Sequence, residues 1–292
     1  MGAGRLYLLF VLLFGTLGLV SCAHQGGWPK QLHWEGLDLA GLPTQGDFPN
    51  ASAVIVLDEA EMDVLSGSQL PLSIFERHRV IKILDCRGLR YANVVIPYDS
   101  KSRVEKIQAR TISPDGRITE LESKDIFDVS LYPQYIWYSD QRAKIFAFPN
   151  VEVGSILEYR YSMTIGNLTF WHSWVFQADD PVLLSRFKLV SPAEWDVDYK
   201  VYGMDVKPEV RKAPKGFRST YVWTARNVSP LKPEFGMPPL RECTARLAIA
   251  PAGMKSWRDV GKWYGDLIQP QMKADQAISQ LVERLTRGAT TK

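Results

Sequence analysis

The chain contains 292 residues, of which 46% are hydrophobic and 23% are charged, so it has enough apolar side chains to bury a large core. This composition excludes a chain that is disordered throughout and favours one large domain with a smaller appendage. The formal net charge is only +3 and the lysines and arginines are scattered, which argues against a nucleic-acid-binding protein.

The amino terminus predicts export and lipidation. Arg5 supplies a positive charge, and residues 6–20 form an apolar run shorter than a membrane-spanning helix, which needs about 20 residues. The sequence Leu-Val-Ser-Cys that ends at Cys22 resembles the lipobox of bacterial lipoproteins, in which the signal is cut before the cysteine and its thiol carries diacylglycerol. We therefore predict a signal peptide over residues 1–21 and lipidation of Cys22. An ordinary cleaved signal with a chance cysteine is the alternative.

Lipidation at Cys22 would make the membrane a partner of this chain, because several acyl chains anchor a protein firmly at about 0.8 kcal/mol per buried methylene. The expected location is the bacterial cell envelope. In a Gram-negative cell the periplasmic face of the outer membrane is favoured, since Ala23 stands where the aspartate associated with inner-membrane retention would be. Residues 22–50 are rich in glycine and proline without a sustained period, which predicts a tether.

Residues 51–250 predict a β-sandwich domain. Strands are predicted over residues 53–57, 72–84, 91–98, 104–112, 117–121, 145–148, 156–165, 170–177, 183–190, 195–201 and 219–225, with a short segment over 125–129 and a loop over 132–138. Many short strands without helical periodicity between them favour a mostly β fold over a parallel sheet with crossover helices. The expected fold is a large antiparallel β-sandwich with a short C-terminal helical segment.

Two strands define the centre of this domain. Residues 156–165 alternate apolar or aromatic side chains with mostly polar ones, as in one strand of a half-buried sheet. The preceding run, residues 145–148, is separated from it by breaks at Pro149 and Gly154. This arrangement predicts a central hairpin with a bent connection.

The last part of the chain, residues 251–292, predicts a helical linker. Ser256 and Asp259 form a helix start, and apolar residues then recur at helical spacing in two segments. Amphipathic helices of this kind either pack on the sandwich or begin another domain. We favour the second alternative, because the sequence ends where such a domain would be starting.

The sequence predicts no catalytic residue, no metal ligand and no cofactor. It contains no glycine loop for phosphate, no nucleophile elbow and no complete zinc motif. The acidic pairs Asp179 with Asp180 and Glu152 with Glu158 are interpreted as turn and surface residues rather than as acid–base pairs. Residues 77–79, Arg-His-Arg, lie in an alternating strand pattern and are interpreted as a solvated sheet face rather than a phosphate site.

Cys86 and Cys243 are the remaining cysteines. Export permits a disulfide between them, while two buried free thiols fit the sequence at least as well. An enzyme in which His78 or His172 activates Cys243 is a further hypothesis, since a thiol nucleophile needs a nearby base. A buried, unreactive thiol is the interpretation that we favour.

Possible ligand-binding residues are Trp137, Trp171 and Trp174, whose rings could stack on a sugar or hold a peptide. Trp171 and Trp174 would lie on opposite faces of one strand, so at least one of them is expected in the core. Core or interdomain packing is therefore favoured over ligand recognition.

Several short motifs occur in one order between about residues 50 and 270. They are Ser113-Pro114-Asp115-Gly116, Phe148-Pro149, Val153-Gly154, Asp180-Pro181-Val182, Tyr221-Val222-Trp223, residues 234–239, and Trp257 with Trp263-Tyr264. With these motifs the chain resembles a bacterial envelope family, the domain of unknown function 3857, which usually precedes a transglutaminase-like domain. The resemblance implies a β-sandwich that accompanies a papain-like catalytic domain, whose Cys, His and Asp are not in this sequence.

The expected function is that of a non-catalytic envelope lipoprotein module that supports or presents a transglutaminase-like cysteine peptidase domain missing from this chain. A stand-alone module that binds a glycan or a peptide through exposed aromatic rings is one alternative. Another is that the chain is the front fragment of a transglutaminase-like enzyme. The expected partners are the membrane, a transglutaminase-like domain and, for the first alternative, a glycan or peptide, but not nucleic acid.

Overall fold

The computed structural model describes residues 41–65, 72–132, 139–166, 173–251 and 256–288. Its strands are β1 (Ala53–Leu65), β2 (Leu72–Ile83), β3 (Asn93–Tyr98), β4 (Ser102–Ile112), β5 (Ile118–Glu120), β6 (Phe127–Ser130), β7 (Arg142–Ala147), β8 (Ile156–Ile165), β9 (Trp174–Val175), β10 (Val182–Pro192), β11 (Val197–Tyr202), β12 (Glu209–Arg211), β13 (Arg218–Val228) and β14 (Arg246–Pro251). Its helices are α1 (Leu240–Cys243), α2 (Trp257–Ile268) and α3 (Gln276–Thr286), with 3-10 turns over Cys86–Ala92, Ser123–Asp125 and Gln269–Met272. The predicted signal peptide, the lipidation site Cys22 and most of the predicted loop over 132–138 lie outside the described residues.

One large mixed sheet organises the domain, in the strand order β12-β13-β10-β1-β2-β8-β4-β5. Every neighbouring pair in it is antiparallel except β1 and β10, which run parallel. The prediction of a mostly β fold is confirmed, but the sheet is mixed rather than purely antiparallel. An alternating pattern shows which face a side chain occupies and carries no information about strand direction, so the parallel pair could not be read from it.

Two three-stranded sheets, β3-β7-β6 and β11-β14-β9, pack on one face of the large sheet. Phe146 of the first small sheet contacts Tyr159 of β8 with ring centroids 6.2 Å apart, and Trp174 of the second contacts Phe187 of β10 at 5.6 Å. The strand registers place Tyr159 and Phe187 on the same face of the large sheet. The predicted sandwich is therefore present, with one core between the large sheet and the two small ones.

The predicted central hairpin is wrong in its pairing. β7 belongs to a small sheet and β8 to the large one, so the two strands face each other across the core and share no ladder. The bent connection between them is present, because Asn150 and Gly154 have positive φ angles of 51° and 90°. Phe148 packs edge-on against Tyr159 at 6.2 Å. Apolar side chains on both runs are thus buried by face-to-face packing rather than by strand pairing.

A close backbone contact explains the glycine in the 3-10 turn Cys86–Ala92. A Cβ atom on Gly88 would lie 2.3 Å from the carbonyl oxygen of Ser52, which accepts hydrogen bonds from the amides of Leu84 and Asp85. We therefore expect Gly88→Ala to lower the free energy of unfolding by about 1–3 kcal/mol, because the backbone before β1 must move. Urea denaturation of the full chain would measure this loss.

Gly261→Ala in α2 is the matched control, since nothing lies within 4 Å of the added Cβ atom. Alanine is favoured over glycine in a helix interior by about 1 kcal/mol, so this variant should be as stable as the wild type or more stable. Equal losses in the two variants would contradict the role of the close contact at Gly88.

The two C-terminal helices form where the sequence predicted them. The Ser256 side chain accepts a hydrogen bond from the amide of Asp259, and the Asp259 carboxylate accepts one from the amide of Ser256. No residue of α2 or α3 is buried, and the side chain of Trp257 is 89% exposed. In the described part of the chain, no helix is long and apolar enough to cross a membrane.

Candidate functional site

The predicted ligand-binding residue Trp174 lies in the core. Its side chain is 3% exposed, and its indole N–H donates to the hydroxyl of Ser185 at 3.0 Å. It is therefore not an exposed ring on which a sugar or peptide could stack. Trp137 and Trp171 lie outside the described residues.

The hydrogen bond of Trp174 can be separated from its packing by comparison with Trp223. The indole N–H of Trp223 is also buried but has no acceptor among the described residues. Phenylalanine at 223 removes an unsatisfied donor, whereas phenylalanine at 174 leaves the Ser185 hydroxyl without its partner. We therefore expect Trp174→Phe to be more destabilising than Trp223→Phe by about 1 kcal/mol in urea denaturation. The reverse order would contradict this assignment.

A row of alternating charges, which we call the charge ladder, crosses five neighbouring strands on the face opposite the core. It consists of Arg110 (β4), Glu158 (β8), His78 (β2), Glu59 (β1) and Arg186 (β10). Arg110 donates through Nε and Nη2 to Oε2 of Glu158 at 2.9 and 2.8 Å. His78 joins both acids, with Nε2 2.8 Å from Glu158 Oε1 and Nδ1 3.4 Å from Glu59 Oε1. Arg186 pairs with the other oxygen of Glu59.

The centre of the charge ladder is buried. Glu158 is 1% exposed and Arg110 is 5% exposed, and a carboxylate at that depth is stable only when it is paired and hydrogen-bonded. Two interpretations of the sequence are therefore wrong: Glu158 is not a surface acid, and residues 77–79 are not a solvated face. Alternation assigns a face to each side chain, but only the register between distant strands shows that opposite charges meet.

The charge ladder predicts a pH-dependent stability. Burial alone would lower the pKa of His78, but its hydrogen bonds to Glu158 and Glu59 raise that pKa above the ordinary value of 6.5. Protonated His78 therefore stabilises the fold fully below pH 6.5, and this contribution is lost as the pH rises through the folded-state pKa. We expect the free energy of unfolding of the wild type to fall as the pH rises above 6.5, and we expect no such fall for His78→Gln.

Urea denaturation from about pH 5.5 to about pH 8 would measure this difference. Glu59 does not interfere there: burial would raise its pKa, but hydrogen bonds from His78 and Arg186 and their charges lower it to about 2, so it stays ionised. Arg103→Gln is the control, since the Arg103 side chain is 81% exposed and lies outside the ladder. Parallel curves for the wild type and His78→Gln would show that the ladder does not bind the proton more tightly in the folded state.

A second charged cluster, Asp58, Arg77 and Arg79, lies on the core face of the same sheet, and we call it the arginine cluster. Asp58 is 4% exposed and accepts from Nε and Nη2 of Arg77 at 2.9 and 2.7 Å. The Nε atom of Arg79 lies 3.2 Å from Oδ2 of Asp58. Arg77 also lies over the ring of Trp174, 5.0 Å from its centre. Burial would lower the pKa of each arginine, but the charge of Asp58 raises both pKa values above the ordinary value for arginine.

Asp180 ties the start of β1 to the start of β10. Its Oδ1 accepts from the amide of Ser52 at 2.9 Å, and its Oδ2 accepts from Ser52 Oγ, Tyr91 OH and Arg90 Nη2 at 2.8, 3.0 and 2.6 Å. Burial raises the pKa of Asp180, but the hydrogen bonds from Ser52 outweigh it and the pKa is lowered. Asp180 is therefore a buried structural anion rather than the surface residue predicted, whereas the Asp179 side chain is 47% exposed.

Cys86 and Cys243, the two cysteines within the described residues, form no disulfide with each other. Cys86 is exposed and Cys243 is half-buried, and both are free thiols, so the expectation of burial is wrong for Cys86. His78 is the only histidine within the described ranges, and its two ring nitrogens face carboxylates rather than the thiol of Cys243. In the same ranges, no group of three His, Cys, Asp or Glu residues could hold a metal ion.

A solved structure shares this fold. The crystal structure of a "putative protease" from Parabacteroides distasonis ATCC 8503 is 15% identical with a TM-score of 0.63, over 82% of this chain and 47% of that one. The chain thus spans about half the length of that protein, and the likeness shows a common fold. Legionella pneumophila aminopeptidase A, crystallised with aspartic acid, is 8% identical over 70% of this chain and 22% of that one. Its TM-score of 0.36 is too low to show a common fold.

No curated protein matches this chain in sequence. A family model does: the one described as "Domain of Unknown Function with solved-structure structure", DUF3857, matches residues 72–232. The match begins with β2 and ends just after β13, so it contains most of the large sheet, His78 and Glu158 of the charge ladder, and both arginines of the arginine cluster. The chain belongs to the DUF3857 family.

Proposed function

We propose that this chain is a non-catalytic module of the bacterial envelope that supports or presents a transglutaminase-like cysteine peptidase domain. The observation that carries the proposal is that this member of the DUF3857 family corresponds in fold to about half of the Parabacteroides protein named as a putative protease. We expect the protease chemistry to which that name refers in the other half of that protein.

The side chains support a structural role for this half. The charged groups of the ladder are paired with one another, and Asp179 and Asp180 are both paired with Arg90. Within the described ranges His78 is held by two acids, so no histidine is placed to lower the pKa of a thiol nucleophile.

The C-terminal helices are the part that we propose to contact the peptidase domain. On α2, Trp257, Tyr264 and Leu267 are 89%, 55% and 56% exposed, and on α3 Leu285 is 72% exposed. Exposed apolar stripes on amphipathic helices are typical of surfaces that another element covers. The expected contact is therefore with apolar side chains of the partner domain.

The test is calorimetric binding between the full chain and the transglutaminase-like domain of a longer family member. Replacing Trp257 and Leu267 with alanine should weaken binding about tenfold or more, because large apolar anchors supply most of the energy of an interface. Replacing Lys262 and Asp266, an exposed ion pair on the same helix, with alanine should leave binding unchanged. Peptidase activity of the chain alone would overturn the non-catalytic role.

Envelope anchoring is proposed through Cys22. Cells that express the full chain and are fed an alkyne-labelled fatty acid should incorporate the label into it, and fractionation should place the chain in the envelope. Cys22→Ser should lose the label and Cys86→Ser, a change of another thiol, should keep it. Label retained in Cys22→Ser would contradict the anchor.

A further inference from the structure

We propose that the arginine cluster is a binding site for a small oxyanion, a carboxylate or a phosphate group. The site lies on the core face of the large sheet, where Arg77 and Arg79 share the single carboxylate of Asp58. This inference does not depend on the proposed support of a peptidase domain, because it uses other residues and another measurement.

The first argument is charge balance. Two guanidinium groups face one carboxylate, so the cluster carries one positive charge in excess. Asp179 and Asp180 share Arg90, which leaves one negative charge in that cluster, but no ion pair among the described residues joins either acid to Arg77 or Arg79. An uncompensated charge inside a protein is costly, and a bound anion would remove that cost.

The second argument is access. Both guanidinium groups lie deep in the domain, yet the side chains of Arg77 and Arg79 remain 26% and 17% exposed, against 6% for Asp58. The two side chains are therefore not sealed from the solvent. An anion of a few atoms could therefore reach the arginines without unfolding the sheet.

The third argument is a buried donor that no acceptor uses. The Nε atom of Arg79 lies 3.2 Å from Asp58 but at an angle that makes no hydrogen bond, and it is buried without another acceptor in the described ranges. The side chain of Tyr159 is a hydrogen-bonding neighbour of Arg79 and adds no negative charge to the cluster at neutral pH. A guanidinium fork matches the oxygens of carboxylate and phosphate, which defines the ligand class.

The experiment titrates the full chain with inorganic phosphate and with acetate, against chloride at the same ionic strength, and follows thermal unfolding and heat of binding. A saturable rise in Tm with phosphate or acetate but not with chloride is expected. A response to phosphate alone would identify a phosphate group as the ligand, and a response to acetate as well would extend the site to acidic groups of proteins or metabolites. No saturable response to either anion would overturn the proposal.

Variants test whether the anion binds at the arginine cluster. Arg79→Gln should weaken the binding of the anion about tenfold or more, because it removes both the excess positive charge and the guanidinium fork. Arg103→Gln, at a side chain that is 81% exposed, should bind as the wild type does. Arg79→Lys keeps the positive charge and replaces the glutamine variant in this test if that variant does not fold. It should still bind the anion more weakly than the wild type, because the planar fork is lost. Equal affinity in the wild type and both Arg79 variants would overturn the site.

A measurement on the wild-type protein tests the site without relying on the folding of the variants. In protein labelled with ¹⁵N-arginine, the Nε–Hε signal of Arg79, identified by its loss in Arg79→Lys, should shift with the same midpoint as the thermal titration. Signals of exposed arginines should move only with ionic strength. An unmoved Arg79 signal at saturating anion would assign any stabilisation to another place and overturn the proposal.

Discussion

Glu158→Gln is expected to lower the free energy of unfolding by about 3–5 kcal/mol. Glutamine keeps the size of the side chain but removes the negative charge that Arg110 and His78 share. Glu158 and Arg110 are 1% and 5% exposed, so water cannot take the place of the lost charge. Breaking one partner out of a buried ion pair leaves the other uncompensated, which is why the loss exceeds the net value of the pair. Urea denaturation of the full chain would measure it.

Glu61→Gln is the matched control for this variant. Glu61 lies on the same face of the large sheet, two residues after Glu59, and its partner Lys188 is 41% exposed. An ion pair as exposed as this one contributes about 0–1 kcal/mol. A loss at Glu158 no larger than the loss at Glu61 would show that the charge ladder does not stabilise the fold.

Trp223→Ala is expected to cost about 3–5 kcal/mol through the cavity that it leaves. Trp223 is fully buried, and its ring centroid lies 6.2, 5.3 and 6.0 Å from those of Phe187, Tyr199 and Tyr221. Because Tyr199 belongs to β11, the substitution loosens the large sheet from a small one. Phe217→Ala, at a side chain that is 66% exposed, should change the free energy of unfolding by no more than about 0.5 kcal/mol. Similar losses in the two variants would contradict the central position of Trp223.

Strands were predictable where one face is apolar throughout. β8 was predicted over residues 156–165 and is observed over Ile156–Ile165, because its tyrosines and aliphatic residues alternate with polar ones without a break. β12, observed over Glu209–Arg211, was missed because all of its residues are exposed at the sheet edge and leave no hydrophobic signal. Periodicity therefore reports burial on one face, and a strand held only by backbone hydrogen bonds escapes it.

The length of β1 shows the same limit in a central strand. It was predicted over residues 53–57 and extends over Ala53–Leu65. Acidic residues at alternate positions, Glu59, Glu61 and Asp63, interrupt the apolar pattern, so the pattern alone ends near Leu57. The strand continues through them, because basic residues of β10 and β13 pair with them.

The charged clusters could not be found from the sequence for a related reason. Each member of the charge ladder occupies a polar position of an alternating strand, which is also what a solvated face would show. The partner of Glu158 on one side is Arg110 and on the other is His78, and both pairings depend on registers between strands that are distant in the chain. The one available signal was the number of charged residues at alternate positions on several strands, which suggests ion pairs without naming them.

The parallel pairing of β1 with β10 also determines the order in which the domain can fold. Glu59 and Arg186, which face each other in this pair, are 127 residues apart in the chain. β1 can pair with β2 early, but its other edge stays open until β10 is in place, and such long-range closure slows folding to about milliseconds or seconds. During that interval the open edge of β1 can pair with another molecule. The state most prone to aggregation is thus the half-built sheet, because the finished one ends in the short strands β5 and β12.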